Sequence, residues 1–313
     1  MLAFVATYTL MNLKEPPAGP VFLNNNDVVA GMFYKWSRPV APEIWSNGRW
    51  LELPPQAKGI AGLNNRDEVA IYGREGWGIW SHGGLNLCRA PKSPTVNPPR
   101  GEPVGIDDQG HILGAEDGVE GLFRISSWPP RSERDYGLPR PVILGPDGTW
   151  VGVHPSGRML PRRDKPTTFF IDHGKQVAIG TGGMIIAAAA ISASHIVVGT
   201  YMTWSDTPAH WRRPFVWKDG TLTTLPLPNG AREGQAKSVN VNGDVVGEVD
   251  NRAVLWSKGK ITYLDDLVSP GTSFEFGEAF AINDHGDILA SASPKATHWP
   301  STLMLLKANR SQA

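Results

Sequence analysis

The sequence predicts an all-β fold, a seven-bladed β-propeller built from four-stranded blades. Two observations carry this prediction: a turn-forming segment recurs seven times along the 313 residues, and a Trp-containing segment follows most of its copies. The repeat spacing averages about 43 residues, which is typical of one four-stranded propeller blade. Each repeat therefore predicts two β-hairpins, and hence four strands.

The first recurring segment has an aliphatic residue, then three or four polar or turn-forming residues, then a short apolar run that usually ends in Gly or Ala. Asn, Asp and Gly tolerate the backbone angles of tight turns, so the segment predicts a hairpin between two strands. The seven copies begin at Leu23, Leu63, Ile106, Leu144, Ile191, Val239 and Ile282.

The second recurring segment is an apolar residue followed by Trp and a turn that ends in Gly. It reads IWSNG from Ile44, IWSHG from Ile79, VWKDG from Val216 and LWSKG from Leu255. Its regular spacing indicates that the Trp residues belong to the core between blades rather than to a ligand site. The predicted core Trp residues are Trp45, Trp80, Trp217 and Trp256.

The repeat covers nearly the whole chain, so residues 1–313 are expected to form a single domain. Tyr8–Leu13 and Thr302–Lys307 both have the composition of an outermost strand. Because a closed ring protects open sheet edges, the N-terminal strand is expected to lie beside the last repeat. The Ala-rich run from Met184 is expected to be an inner strand, where small residues suit the crowded centre.

The repeats resemble the bacterial HAF-type repeat. AFAINDHGDILA from Ala279 and SVNVNGDVVGEV from Ser238 carry the resemblance most clearly, and YTLMNL from Tyr8 is similar to the lead-in strand of that family. The His-Ala-Phe tripeptide itself is absent, with RPF from Arg213 and RAV from Arg252 in its place. The resemblance implies a propeller but no particular activity, and proteins with this repeat are often labelled extracellular.

The composition narrows the classes of partner. Lys and Arg together number 30, as do Asp and Glu, so the net charge is zero. This balance argues against nucleic-acid and membrane partners, and a monomer is expected.

The single cysteine, Cys88, excludes an intramolecular disulfide and Cys-based zinc sites. No metal or other cofactor is predicted. No signal peptide is visible, which favours the cytoplasm, although a removed signal would be compatible with an extracellular location.

Two loops exceed the length that a blade requires. The connection between the second and third strands is much longer in repeats four and five than in repeats two, six and seven, and long loops in compact domains are often functional. Both loops are rich in Arg, His and Trp. The candidate catalytic residues are His154 and His210. The candidate ligand-binding residues are Arg158, Arg162, Arg163, Trp204, Asp206, Trp211, Arg212 and Arg213.

Two functions follow from this pattern. The preferred interpretation is a binding or interaction scaffold whose partner is a small molecule or a protein. A small anionic or aromatic ligand would bind at the axial face, because Arg binds anions through paired N–H groups and Trp offers a flat apolar surface. The alternative is an enzyme, a lyase, hydrolase or cyclase, in which His154 or His210 transfers a proton beside the Arg cluster. The same loops also fit a third, simpler interpretation as charged loops in solvent.

Overall fold

A computed structural model of the chain describes residues 8–14, 17–35, 38–73, 76–88, 103–116, 119–123, 140–153, 168–181, 184–203, 212–298 and 301–309. These residues form antiparallel β-sheets joined by short turns, with one 3₁₀ turn at Leu264–Leu267. In the described part of the chain, no helix is long and apolar enough to cross a membrane.

Six sheets have four strands each, and in five of these the strands follow one another along the chain. The first is β2 (Pro17–Leu23), β3 (Val29–Lys35), β4 (Arg38–Ser46) and β5 (Arg49–Glu52). The second is β6 (Gly59–Leu63), β7 (Val69–Gly73), β8 (Gly76–Ser81) and β9 (Gly84–Cys88). The next four-stranded sheet is β13 (Arg140–Leu144), β14 (Trp150–Val153), β15 (Thr168–Asp172) and β16 (Lys175–Ile179).

Two more such sheets follow in the second half of the chain. One is β17 (Met184–Ile191), β18 (Val197–Thr203), β19 (Arg213–Lys218) and β20 (Thr221–Thr224). The other is β21 (Gly234–Val239), β22 (Val245–Val249), β23 (Arg252–Ser257) and β24 (Lys260–Tyr263). Between the sheets that begin with β6 and β13, the chain forms a sheet with three described strands. These are β10 (Pro103–Ile106), β11 (Ile112–Glu116) and β12 (Val119–Phe123).

The last sheet joins the two ends of the chain. It consists of β25 (Phe274–Ile282), β26 (Ile288–Pro294), β27 (Thr302–Ala308) and, at its outer edge, β1 (Tyr8–Lys14). The prediction that the N-terminal strand lies beside the last repeat is confirmed. The prediction that Thr302–Lys307 is outermost is wrong, because β1 pairs with β27 and leaves β27 in the third position.

The sheets are arranged in a circle. The first strand of each sheet contacts the first strand of the next, from β2 through β6, β10, β13, β17 and β21 to β25, and β25 contacts β2 again. These inner strands end at equivalent residues, as the repeat predicted; three examples are Ile106, Ile191 and Ile282. The chain is therefore an all-β propeller of four-stranded antiparallel blades, with six complete blades among the described residues.

The two hairpins of each blade place their turns on one face, which we call the turn face. The turn after the Trp is a two-residue hairpin in which both residues have positive φ, for example 51° at Asn47 and 76° at Gly48. Such turns match the twist of the flanking strands, which explains the Asn-Gly, His-Gly, Asp-Gly and Lys-Gly pairs of the sequence. The connections between second and third strands lie on the opposite face, which we call the loop face.

The turns after the inner strands form hydrogen bonds from one blade to the next. The Asn24 amide donates to the Asn64 carbonyl at 2.9 Å, and the Asn64 amide donates to the Asp107 carbonyl at 2.8 Å. Asn240 donates to the Asn283 carbonyl at 3.3 Å, and Asn283 donates to the Asn24 carbonyl at 3.2 Å, across the junction of the last and first sheets. These four Asn side chains are buried, so the bonds satisfy groups that water does not reach.

Ring closure also uses a charged group beside the terminal strands. The Lys307 ammonium on β27 lies 2.8 Å from Asp287 and 2.6 Å from Asp27 of the first blade. The Asp287 side chain is fully buried, which by itself disfavours its charged form. Hydrogen bonds from Lys307 and the Ala308 amide outweigh this burial and hold the pKa of Asp287 below its usual value. The ends of the chain are thus joined by pairing of ions as well as of strands.

The Trp residues of the repeat lie between sheets, as predicted. Trp45, Trp217 and Trp256 are buried, and Trp80 is half-buried against the core of the first two blades. Trp256 donates its indole N–H to the Pro226 carbonyl at 2.7 Å. The indole N–H of Trp217 is buried without a hydrogen-bond partner among the described residues.

Deletion of residues 1–13 is expected to lower the melting temperature by roughly 10 °C or more, because it removes β1 and leaves the edge of β27 unpaired. Thermal unfolding followed by circular dichroism measures this change, with deletion of residues 1–6 as the control. A full deletion variant that melts with the wild type would show that β1 does not stabilise the closed ring.

The two buried Trp residues are expected to respond differently to replacement by Phe. Trp256→Phe removes the hydrogen bond to Pro226 and leaves that carbonyl unpaired, so it should cost about 1–3 kcal/mol more than Trp217→Phe, which removes a donor that has no partner. Both variants lose similar ring volume, so each serves as the packing control for the other. Equal losses in chemical denaturation would contradict the difference in hydrogen bonding.

Candidate functional site

Nine of the ten candidate residues fall in the two long connections of the sequence, and Arg213 is the first residue of β19, where it pairs with Tyr201. One connection joins β14 to β15 and the other joins β18 to β19, so both start and end on the same face of neighbouring blades. Arg212 and Arg213 are described by the structure. The other eight candidates lie outside the described residues: His154, Arg158, Arg162, Arg163, Trp204, Asp206, His210 and Trp211.

Arg212 is held by a carboxylate of the chain. Its guanidinium donates to both oxygens of Glu233, at 3.2 Å from Nε and 3.0 Å from Nη2. These bonds raise the pKa of Arg212. Its carbonyl accepts a hydrogen bond from the Gly234 amide at 3.0 Å, at the start of the inner strand β21. The end of the second long loop is therefore attached to the inner strand β21, and the Arg212 guanidinium is already paired.

Six of the inner strands share an irregularity, which places one side chain of each strand at an equivalent position. In six sheets the pairing of the first and second strands shifts by one residue, two positions before the inner strand ends. The residue at each shift has no partner on the second strand, as in a β-bulge, which turns its side chain out of the regular pattern. We call this set the bulge ring: Ala61, Val104, Val142, Ala189, Lys237 and Phe280.

The inner strands of five sheets enclose a cavity of about 640 Å³ on the propeller axis. Four members of the bulge ring line it, namely Ala61, Val104, Val142 and Ala189. Its wall is otherwise mostly aliphatic, and Phe22 and Tyr72 add aromatic surface. Its volume falls in the range of small-molecule sites, which are mostly apolar with a few polar groups that set orientation.

Charged and polar groups lie beside this cavity, on the two remaining inner strands, β21 and β25, and on β22 next to them. Lys237 of β21 forms an ion pair with Glu278 of β25 and lies 3.6 Å from Glu248 of β22. Gln235 donates to Glu248 at 2.8 Å. We call Gln235, Lys237, Glu248 and Glu278 the channel cluster. Lys237 occupies the register position at which the four cavity-lining members of the bulge ring are Ala or Val. The circle of inner strands therefore has an aliphatic part, which lines the cavity, and a charged part beside it.

Glu248 is the perturbed acid of the channel cluster. Its side chain is 17% exposed. Burial is the largest influence on it and raises its pKa, and the neighbouring charge of Glu278 acts in the same direction. The ammonium of Lys237 opposes this effect without cancelling it. Titratable groups that burial and a charged neighbour perturb in this way are concentrated at functional sites.

Sequence reasoning did not find the channel cluster. Charged residues within an apolar strand were a usable signal, since Lys237 stands two positions before Val239 just as Ala189 stands two positions before Ile191. The signal required the repeats to be compared position by position, whereas loop length drew attention to the connections β14–β15 and β18–β19, which belong to other sheets. Three closely placed metal-ligating side chains do not occur among the described residues.

Comparison with solved structures agrees with the architecture. The chain is similar to the β-propeller domain of the Trilobed protease from Pyrococcus furiosus, with a TM-score of 0.57 and 10% identity over 98% of this chain and 99% of that one. It is also similar to the polysaccharide lyase Uly1, with a TM-score of 0.50 and 10% identity over 98% of this chain and 93% of that one.

The acylaminoacyl peptidase from Pyrococcus horikoshii is a third similar structure, with a TM-score of 0.51 and 13% identity over 94% of this chain and 51% of that one. Identities this low establish a shared fold and no shared activity. The chain matches no family model and no curated protein. Fold and comparisons together define a β-propeller protein.

Glu248→Gln is expected to stabilise the fold at high pH and to have little effect at low pH. A native pKa above the unfolded value means that the contribution of Glu248 to stability is complete below the unfolded pKa and is lost as pH rises through the native pKa. Gln carries no charge at any pH, so the stability difference should grow across that interval. Chemical denaturation at a series of pH values measures it, with Glu275→Gln as control. A constant difference at all pH values would contradict the raised pKa.

Proposed function

We propose that the chain is a ligand-binding scaffold whose central channel holds one small molecule with an aromatic or aliphatic body. The observation that carries this proposal is the cavity of about 640 Å³, with its aliphatic wall built from five inner strands. Burial of an apolar ligand there removes apolar surface from water, while the polar groups of the channel lie to one side.

Several structural expectations belong to the same proposal. The sheet β10–β12 is taken as a seventh blade, since β10 contacts both β6 and β13 and so fills one place in the circle. Residues 1–313 then form a single domain, and its repeat is of the HAF type. A monomer without nucleic-acid or membrane partners remains the expectation from the balanced charge.

The loop residues keep a role in this proposal as the rim of the channel. Arg212 connects the second long loop to β21, and its charge is compensated by Glu233. An anionic ligand would therefore depend on Arg158, Arg162, Arg163 and Arg213, with Trp204, Asp206 and Trp211 beside it. The enzyme alternative depends on His154 and His210. The channel supports the scaffold over the enzyme, because its binding surface does not require either His.

The test fills the channel from within. Ala189→Phe places a ring at an exposed position of the bulge ring that lines the cavity, so it should weaken binding of indole, a neutral aromatic probe, by at least about tenfold. Thr223→Phe is the matched control, because Thr223 is exposed on the outer strand β20. Calorimetry or equilibrium dialysis measures both. Indole that does not bind the wild type, or binds both variants equally, would refute a channel site.

A further inference from the structure

The channel cluster is unequal in charge. Its one ammonium, Lys237, faces two carboxylates, Glu248 and Glu278. Arg212 also acts on Glu248, and its guanidinium is paired through two hydrogen bonds with Glu233. Within the described part of the site the cluster therefore carries one more negative than positive charge when both acids are ionised.

This excess charge is partly removed from water. Side-chain exposure is 17% at Glu248, 25% at Lys237 and 34% at Glu278. A carboxylate at such a depth is unfavourable unless a cation or a hydrogen-bond donor compensates it. The protein compensates it in part, through Lys237 and through the Gln235 amide that donates to Glu248. A further donor with a positive charge would complete the balance.

The same arrangement disfavours an anion at this point. To bind Lys237, an anionic group would have to displace Glu278 from the ammonium and approach both carboxylates. Like charges at this separation repel strongly where solvent is partly excluded. The Lys237 side chain thus serves to hold the two acids in place across the junction of β21 and β25, and the acids are the groups that remain available to a ligand.

We infer that the channel selects a ligand with an aromatic or aliphatic body and a protonated amine, the body lying against the aliphatic wall and the ammonium binding Glu278 and Glu248. This inference rests on the proposed function, because it assigns the polar end of the same ligand. The juxtaposition that carries it is an apolar cavity wall on five inner strands beside a cluster with two carboxylates on the neighbouring sheets of β21 and β25. Charge-assisted hydrogen bonds supply the selectivity.

The experiment compares three probes that share one ring system. Tryptamine carries an ammonium, tryptophol is its neutral alcohol counterpart, and indolepropionate carries a carboxylate. Calorimetry on the full chain at neutral pH is expected to give tryptamine an affinity at least about tenfold higher than that of tryptophol, with indolepropionate the weakest. This comparison needs no variant, so it does not depend on whether a substituted protein folds.

Two substitutions then assign the selectivity to the carboxylates. Glu278→Gln, and independently Glu248→Gln, should reduce the affinity for tryptamine to about that for tryptophol while leaving tryptophol binding unchanged. Glu275→Gln is the matched control, since it makes the same change on β25 at a residue that pairs with His298 outside the cluster. The preference for tryptamine should survive in this control.

The outcomes separate this inference from the proposed function. Tryptophol that binds in the channel, with tryptamine no tighter, would overturn the amine assignment and leave the scaffold intact. Tighter binding of indolepropionate would overturn it in favour of an anionic ligand at the Arg-rich rim. Failure of all three probes to bind would overturn both proposals. A tryptamine preference that Glu278→Gln and Glu248→Gln leave unchanged would also overturn the assignment to these acids.

Discussion

Hydrogen bonds between the turns of neighbouring blades are the constraint on which the ring depends. A β-sheet can pack its face on another sheet over a range of angles, so apolar packing alone does not fix how many blades close a circle. The Asn amides of the turn face add a directional bond at a fixed position in each junction where they occur. Because the last of them joins Asn283 to Asn24, the position of the final blade is set relative to the first.

The turns without Asn show how the same constraint is met by other chemistry. The sheets that begin with β13 and β17 are joined by His195, whose Nε2 lies 2.7 Å from Asp147. The sheets that begin with β17 and β21 are joined by Ser194, which donates to the Val241 carbonyl at 2.7 Å. The sheet β10–β12 is connected to the next through the Asp108 amide, which donates to Pro146 at 2.8 Å. Turn sequences that lack the Asn therefore still provide a bond between neighbouring sheets.

Much of this fold could be predicted from the sequence, because turn chemistry and strand alternation are local properties. The repeat located the inner strands, the hairpins and the Trp core. It could not reveal that Asn24 and Asn64 bond to neighbouring blades, since an Asn in a tight turn is already explained by its own backbone and its second partner lies about 40 residues away. The order of β1 and β27 was missed for a similar reason. Both strands have the composition of an outer strand, so only their hydrogen-bond pairing shows which one lies at the edge.

The candidate site was predicted less well, and the reason is geometric. Loop length shows where a connection is longer than a blade requires, and it indicated the loop that ends at Arg212. The register of the inner strands determines which side chains point toward the channel. This register depends on a bulge that no local sequence pattern reveals. Lys237 illustrates this difference. A lysine in a strand is ordinary by itself, but at the equivalent position of the bulge ring four other sheets have Ala or Val.

The position of the charged groups relative to ring closure completes the argument. Lys237, Glu248 and Glu278 lie on the sixth and last sheets, and the Lys307 group with Asp287 and Asp27 lies at the junction of the last and first. The aliphatic wall lies on the other inner strands. Ion pairs therefore join the sixth sheet to the last and the last sheet to the first, near the ends of the chain, while mostly apolar side chains of the other inner strands line the cavity. The channel acquires two chemically different sides from this division, and a molecule with an apolar body and one charged end is complementary to both.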